Sequence, residues 1–158
     1  EEADCAPLVQ SLGGELRSYQ ATSTWHMHLL WPGRSANVLL VVDDNQGMAA
    51  LFRRYLMGYD WVIVGARDGA EAMQRAVEAR PTAIILDVIM PQEDGWQLLA
   101  RLKENKVTAQ IPVIICSILN QPQLATALGA AAYLPKPVSR EALLESIKPW
   151  HSRGCRSG

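Results

Sequence analysis

Val38-Leu39-Leu40-Val41-Val42, followed by Asp43-Asp44-Asn45, is the stretch whose reading decides the fold: five apolar residues in a row, then three polar ones. A strand with one solvated face alternates apolar and polar side chains. An unbroken apolar run of strand length is what a parallel strand needs when helices cover both of its faces. Ile84–Leu86 and Val113–Ile115 repeat the texture downstream. Two further short runs, Trp61–Val64 and Ala132–Leu134, complete the strand set. Between them apolar residues recur at helical spacing near Met48–Met57, Ala70–Ala79, Gly95–Glu104, Gln121–Leu128 and Arg140–Trp150. Five strands alternating with five helices predict an α/β, doubly wound three-layer sandwich on a five-stranded parallel sheet. In such a sheet ligands bind outside the carboxyl ends of the strands, so the residues just after each apolar run are the ones to read.

The rest of the composition bounds the function. The chain has 158 residues, 49% of them hydrophobic and 20% charged, enough for one compact domain with an appendage. Fifteen Lys+Arg against 16 Asp+Glu leave a net charge of −1, without the basic excess that duplex binding uses, so no direct nucleic-acid contact is expected. No apolar run approaches the ~20 residues of a bilayer span, so no membrane insertion is expected. Cysteines at 5, 116 and 155 form no CxxC or Cys/His cluster, which excludes a zinc site and fits a reducing cytoplasm. The chain starts Glu1-Glu2 with neither an initiator Met nor a signal peptide, and is expected to be a piece of a longer protein. Pro32-Gly33-Arg34-Ser35 breaks the texture, giving an N-terminal segment 1–35, a main domain 36–150 and a tail 151–158.

Every strand end carries chemistry: Asp43-Asp44-Asn45 after the first run, Asp87 after the third, Ser117 after the fourth, Lys136-Pro137 after the fifth. Three carboxylates in one crevice repel one another unless a hard cation sits among them, and Mg²⁺ takes few carboxylates plus water and phosphate oxygens. The equatorial oxygens of a transferred phosphoryl group call for a hydroxyl and an ammonium beside the cation, which Ser117 and Lys136 supply. A carboxylate can be the nucleophile, and Asp87, after the middle strand, is the candidate. Taken alone, Asp43 and Asp44 could cap a helix, Lys136 could be a turn cation between Pro135 and Pro137, and Ser117 a loop hydroxyl. Together at successive strand ends they read as one site. Pro137 is a candidate for a cis peptide bond. His26 and His28 share a strand face without a third ligand, Cys116 reads as a small buried hydrophobe, and Trp96 and Leu99 read as a half-exposed face and a core contact.

Val41-Val42-Asp43-Asp44-Asn45, Leu86-Asp87-Val88-Ile89-Met90-Pro91 with Asp94-Gly95, Ile115-Cys116-Ser117 and Tyr133-Leu134-Pro135-Lys136-Pro137 resemble the receiver domain of two-component response regulators, over about Val38 to Trp150. The resemblance implies the (βα)5 flavodoxin-like fold. It implies that Asp87 takes a phosphoryl group from the phosphohistidine of a histidine kinase or a histidine phosphotransfer domain. Asp44, Asp87 and the Ile89 carbonyl would ligate Mg²⁺, with Asp43 completing the acidic pocket through a metal-bound water. Lys136 would pair with the phosphoryl group, Ser117 would move to bond it, and Tyr133 would be the aromatic switch. The domain would catalyse its own phosphorylation and dephosphorylation, and homodimerisation stays open. Ser117 stands where Thr is commoner, and Gln92-Glu93 replaces small residues. Leu8–Leu16 with Ser23–Pro32 resembles the end of a histidine-kinase ATPase domain, its last helix, a Gly-Gly turn and two closing strands, which would make the parent a hybrid sensor kinase. This stretch lacks nucleotide-binding boxes and is not expected to bind ATP alone.

Three rival functions fit a parallel α/β sheet of this kind. An aspartyl-nucleophile phosphatase needs an acid two residues past the nucleophile, where Ile89 stands. A flavin binder needs hydroxyls and N–H groups after the first strand, where Asp43-Asp44 would repel a phosphate. A degenerate receiver used for docking has no need of the full acid, Ser and Lys set. Side chains two positions beyond Asp87 and Ser117, here Ile89 and Leu119, flank the approach of hydrolytic water in the receiver family; both are apolar, so a long-lived phosphoryl group is expected. Only residues 137–158 follow Lys136, one helix and a tail, so output is expected through a surface of the domain or back to a fused kinase.

Overall fold

The computed structural model describes residues 15–21, 24–30, 37–91 and 93–151. The chain divides into two compact units, Glu1–Ser35 and Ala36–Gly158. In the first, β1 (Glu15–Ala21) and β2 (Thr24–Leu30) form an antiparallel hairpin, with Ala21 opposite Thr24 and Glu15 opposite Leu30. His26 and His28 face Tyr19 and Arg17 across it. The Leu8–Gly14 helix and turn, the Pro32–Ser35 break, Cys5, Gln92 and the tail from 152 with Cys155 lie outside the described residues.

The second unit carries the sheet. Its strands are β3 (Asn37–Val42), β4 (Trp61–Ala66), β5 (Ala83–Leu86), β8 (Val113–Ser117) and β9 (Ala132–Pro135), in the order β4-β3-β5-β8-β9 and all parallel. The helices are α1 (Gln46–Tyr55), α2 (Gly69–Ala79), α3 (Gly95–Glu104), α4 (Pro122–Ala127) and α5 (Arg140–Ile147). Because β3 is followed by β4 on one side and β5 lies on its other side, connections diverge at the carboxyl end of β3, and a crevice opens there.

The unbroken apolar runs have the expected cause. Leu39, Val41, Ile85, Ile114 and Cys116 point to one layer with Phe52 of α1 and Leu143 and Ile147 of α5. Leu40, Val42, Ile84, Leu86 and Ile115 point to the other, with Ala72 and Ala76 of α2 and Leu98, Leu99 and Leu102 of α3. Burial of each such Leu or Ile contributes roughly 1.5–3 kcal/mol. At the sheet edge β4 exposes Val62, as an uncovered strand can.

Caps set the helix ends more finely than apolar spacing does. α1 starts two residues before the expected Met48 because the Asn45 side chain accepts from the Gly47 N–H. Asp68, Asp94 and Ser139 cap α2, α3 and α5 in the same way. The expected Arg140–Trp150 helix ends at Ile147 and tightens into a 3₁₀ turn, Lys148–Trp150, where Pro149 has no N–H to continue the ladder. Two features had no periodic signal: β6 (Ile89–Met90) and β7 (Glu93–Asp94) are two residues each and pair antiparallel, Ile89 with Asp94 and Met90 with Glu93. Gly95 lets α3 seat against the chain leaving β5: a Cβ there would lie 2.4 Å from Val88 Cα and 2.7 Å from the Asp87 carbonyl oxygen.

Candidate functional site

The site grows from adjacent strand ends. Val42 and Leu86 are partners in the β3–β5 ladder, so the next residues, Asp43 and Asp87, emerge side by side. The Asp87 N–H donates to the Val42 carbonyl at 2.9 Å and the Asp43 N–H to Ala66 at 3.0 Å, which carries the ladder one residue past the strands. Both aspartates are buried, at 6% exposure. Ser117, also buried, ends β8, and the Lys136 N–H donates to its carbonyl at 3.0 Å. The Lys136-Pro137 bond is cis, as the flanking prolines suggested.

Lys136 reaches from the end of β9 across the crevice. Its Nζ donates to Asp43 Oδ2 and to Asp87 Oδ2, each at 2.7 Å. Burial of the ammonium pulls its pKa down, but hydrogen bonds and charge from Asp43 and Asp87 outweigh that and hold it above the ordinary lysine value. The second oxygen of each carboxylate is held by its own loop: Asp43 Oδ1 accepts from the Asn45 N–H at 2.8 Å and Asp87 Oδ1 from the Ile89 N–H at 2.9 Å. Ser117 Oγ repeats the pattern, accepting from the Leu119 N–H at 3.1 Å. Three strand ends thus use one device, a side chain folded onto the N–H two residues ahead, which fixes its rotamer without a neighbouring element.

Asp43, Asp44 and Asp87 each offer a carboxylate oxygen within 4.8 Å of the others. Asp44 is exposed where the other two are buried, so the cluster opens to solvent on its side. Hard oxygen donors from a few carboxylates are the set that Mg²⁺ takes. Three carboxylates and one ammonium leave two negative charges, a balance that a dication closes. The residues therefore fit the metal.

Tyr133, half-buried on β9, donates its hydroxyl to the Ser117 carbonyl at 3.2 Å and to the Leu119 carbonyl. The ring is thereby tied to the loop that holds Ser117 Oγ. Cys116 is buried, and burial, offset in part by Lys136 and reinforced by Asp87 and Asp43, pushes its thiol up to about 12. It stays protonated, a small core hydrophobe. Leu99 is fully buried, and Trp96 packs half-buried against the same core. Ile89, Ile118 and Leu119, just past the ends of β5 and β8, are exposed. An open cavity of about 570 Å³ beside α1 has Asp43 on its wall, while Asp87, Ser117 and Lys136 do not line it.

Glu93 was visible in the sequence only as a departure from a small residue. In the structure its Oε1 accepts from Arg101 Nη1 at 2.6 Å. No spacing rule signals that pair, because a strand residue and a helix residue eight apart meet only once the helix has turned.

Among the described residues, no helix is long and apolar enough to cross a membrane. Residues 39–148 match the response regulator receiver domain family, and the match does not extend into the N-terminal unit. Protein PilG of Pseudomonas aeruginosa is 31% identical over 113 residues, 70% of this chain and 84% of that protein. Response regulator MprA of Mycobacterium ulcerans is 32% identical over 113 residues, and the chain spans about half the length of this relative (48%). A receiver domain of a response regulator from Bermanella marisrubri superposes with a TM-score of 0.65 at 36% identity, covering 72% of this chain and 96% of that one. With the phosphoacceptor fold, its strand order and its acid, Ser and Lys strand ends all in place, the chain belongs to the response regulator receiver domain family.

Proposed function

We propose that Asp87 is the phosphoacceptor and that the Asp43, Asp87 and Lys136 cluster is its transfer site. The observation that carries this is Lys136 Nζ at 2.7 Å from both buried carboxylates, beside a third, exposed one. Mg²⁺ would be held by Asp43, Asp44, Asp87 and the Ile89 carbonyl, and when bound it offsets charge on the phosphoryl oxygens. An Asp87 carboxylate oxygen attacks phosphorus of a phosphohistidine. The P–O bond forms as the P–N bond breaks, and the imidazole nitrogen leaves with the bonding electron pair, yielding an acyl phosphate. Lys136 is within reach to pair with the new phosphoryl oxygens, and the Ser117 hydroxyl, which already accepts from Leu119, has its own hydrogen to donate to one of them.

Movement of Ser117 toward that group would draw on the Leu119 N–H and on the loop that Tyr133 holds, which makes Tyr133 the reporter of the switch. The exposed Ile89, Ile118 and Leu119 next to the acid cluster suit a donor presented by another protein, a histidine kinase or a histidine phosphotransfer domain, in the cytoplasm. The phosphatase and docking-only readings lose support for the same reason: Ile89 offers no acid, and the charged set is complete. Residues 36–150 would be the switch domain and 151–158 its tail. The reading of 1–35 as the end of a kinase ATPase domain rests on the sequence resemblance and on the β1–β2 hairpin.

Incubation with acetyl phosphate and Mg²⁺ should add one phosphoryl group by mass spectrometry, and Asp87→Asn should abolish the gain. A gain that persists in Asp87→Asn refutes the assignment. Asp44→Ala should weaken Mg²⁺ binding, and unchanged affinity would remove Asp44 from the ligand set.

A further inference from the structure

The short hairpin between β6 and β7 holds both groups through which residue 89 serves the site. Its N–H fixes Asp87 Oδ1, and its carbonyl is the backbone ligand of the reading above, on which this inference rests. The hairpin is anchored at its far strand. Asp94 turns into the cap of α3, accepting from the Trp96 N–H at 2.9 Å. Glu93, opposite Met90, sends its carboxylate the other way, onto the first residue of α2. A Cβ at Gly69 would fall 1.8 Å from Glu93 Oε2 and 2.3 Å from its Cδ, so the carboxylate occupies the space that any side chain at 69 would need. The other oxygen, Oε1, is held by Arg101 of α3 at 2.6 Å.

An ion pair with Arg101 half exposed contributes little by itself, about 0–1 kcal/mol. The seat at Gly69 changes its meaning, because the carboxylate then meets two helices, Gly69 at the start of α2 and Arg101 of α3. A negative charge at the N-terminus of α2 is also favourably placed against the helix dipole.

We propose that Glu93 is a positioning residue for the phosphoacceptor site, a latch that fixes the hairpin, and with it the Ile89 N–H and carbonyl, by seating on Gly69 and Arg101. Gly69 is the matching half of the latch. Loss of the seat leaves Asp87 its charge and its Lys136 partner but frees the loop that orients Oδ1 and offers the backbone ligand.

The test uses the full chain and Mg²⁺ alone as probe, followed by tryptophan fluorescence and by the amide shift of Ile89. Glu93→Ala and Gly69→Ala should each weaken Mg²⁺ binding about tenfold, the low end for loss of a group that supports a metal ligand. Their combination should be no weaker than either alone, since both remove one contact. Glu93→Gln, which keeps the shape and a bond to Arg101, should retain most of the affinity. Gly69→Ala separates positioning from stability: the alanine favours the helix, so its melting temperature should hold or rise while Mg²⁺ affinity falls. Unchanged affinity in both single variants, additive losses in the pair, or a loss confined to Glu93→Ala would each overturn the latch. A wild-type chain that binds no Mg²⁺ would overturn the metal reading itself, and the latch with it.

Discussion

Replacing Lys136 by methionine removes the cation between two buried carboxylates while keeping the length of the side chain, and its outcome is calculable in sign and size. Nζ sits 2.7 Å from both Asp43 Oδ2 and Asp87 Oδ2, with 18% of the lysine side chain exposed against 6% and 8% for its partners. Loss of one member of a buried ion pair destabilises by roughly 3–5 kcal/mol, because the other charge is left uncompensated. The crevice mouth lets water reach the lysine, which places Lys136→Met at the low end, about 3 kcal/mol, a large part of the roughly 5–15 kcal/mol that holds a domain together. Urea unfolding in a chelator should show that loss as a lower midpoint with an unchanged slope. Saturating Mg²⁺ should narrow the gap, since a dication compensates the same oxygens and the variant, which lacks the competing ammonium, should bind it more tightly and gain more from it than wild type. Alkali provides a second axis. The Lys136 pKa is raised in the folded protein above 10.5, so its stabilisation is complete below that pH and is lost as pH rises through the folded value. The difference between wild type and Lys136→Met should therefore vanish only at strongly alkaline pH. Equal midpoints in chelator, or a gap that ignores Mg²⁺, would refute the view that Lys136 neutralises the acid pair.

Three further outcomes are expected. After the phosphodonor is removed, Ile89→Asn and Leu119→Glu should lose phosphate faster than wild type in Mg²⁺, because polar side chains there can orient a hydrolytic water; equal decay would show that water access is not limiting. Gly95→Ala forces its Cβ toward Val88 Cα and the Asp87 carbonyl, so it should destabilise by about 1–3 kcal/mol in urea unfolding and also slow phosphorylation. With Cys5 and Cys155 replaced by serine, Cys116 should resist alkylation at pH 8 until the chain is unfolded, as its buried thiol, pushed up to about 12, holds no thiolate there.

The sheet was legible because its cause is local: a strand covered on both faces must be apolar throughout, and Val38–Val42 and Val113–Ile115 are. Asp43, Asp87, Ser117 and Lys136 were legible as a set because the strand-end rule brings residues distant in sequence to one crevice. Boundaries were less so. The start of α1 depends on an Asn45 hydrogen bond, and the end of α5 on Pro149, neither of which apolar spacing records. The β6–β7 pair left no trace, and of the Glu93 seat on Gly69 the sequence showed only that Glu93 stands where a small residue is usual. They are contacts of two residues or one, made after α2 and α3 have packed, and period-based reading has no term for them.

The shared turn at three strand ends bears on how the switch transmits. Asp43, Asp87 and Ser117 each hold the N–H two residues ahead, so each functional side chain is also the clasp of its own loop. An aspartyl phosphate at Asp87 would carry about −1.5 to −2 charges where the free carboxylate carries −1. Two of the three ammonium donors of Lys136 are taken by Asp43 and Asp87 at 2.7 Å, which would leave the third for the phosphoryl group. Ser117 is the neighbouring group that would add a hydrogen bond, and turning its side chain about Cα–Cβ toward the phosphoryl group would draw Oγ off the Leu119 N–H. The Leu119 carbonyl and the Ser117 carbonyl both accept from Tyr133, so the same rotation reaches β9 through a single hydroxyl. On the Asp87 side the loop has the extra hold of Glu93, whereas on the Ser117 side the hold is the Tyr133 hydroxyl. On the proposed reading, this asymmetry would keep the Asp87 loop fixed and make the Ser117 loop the moving part.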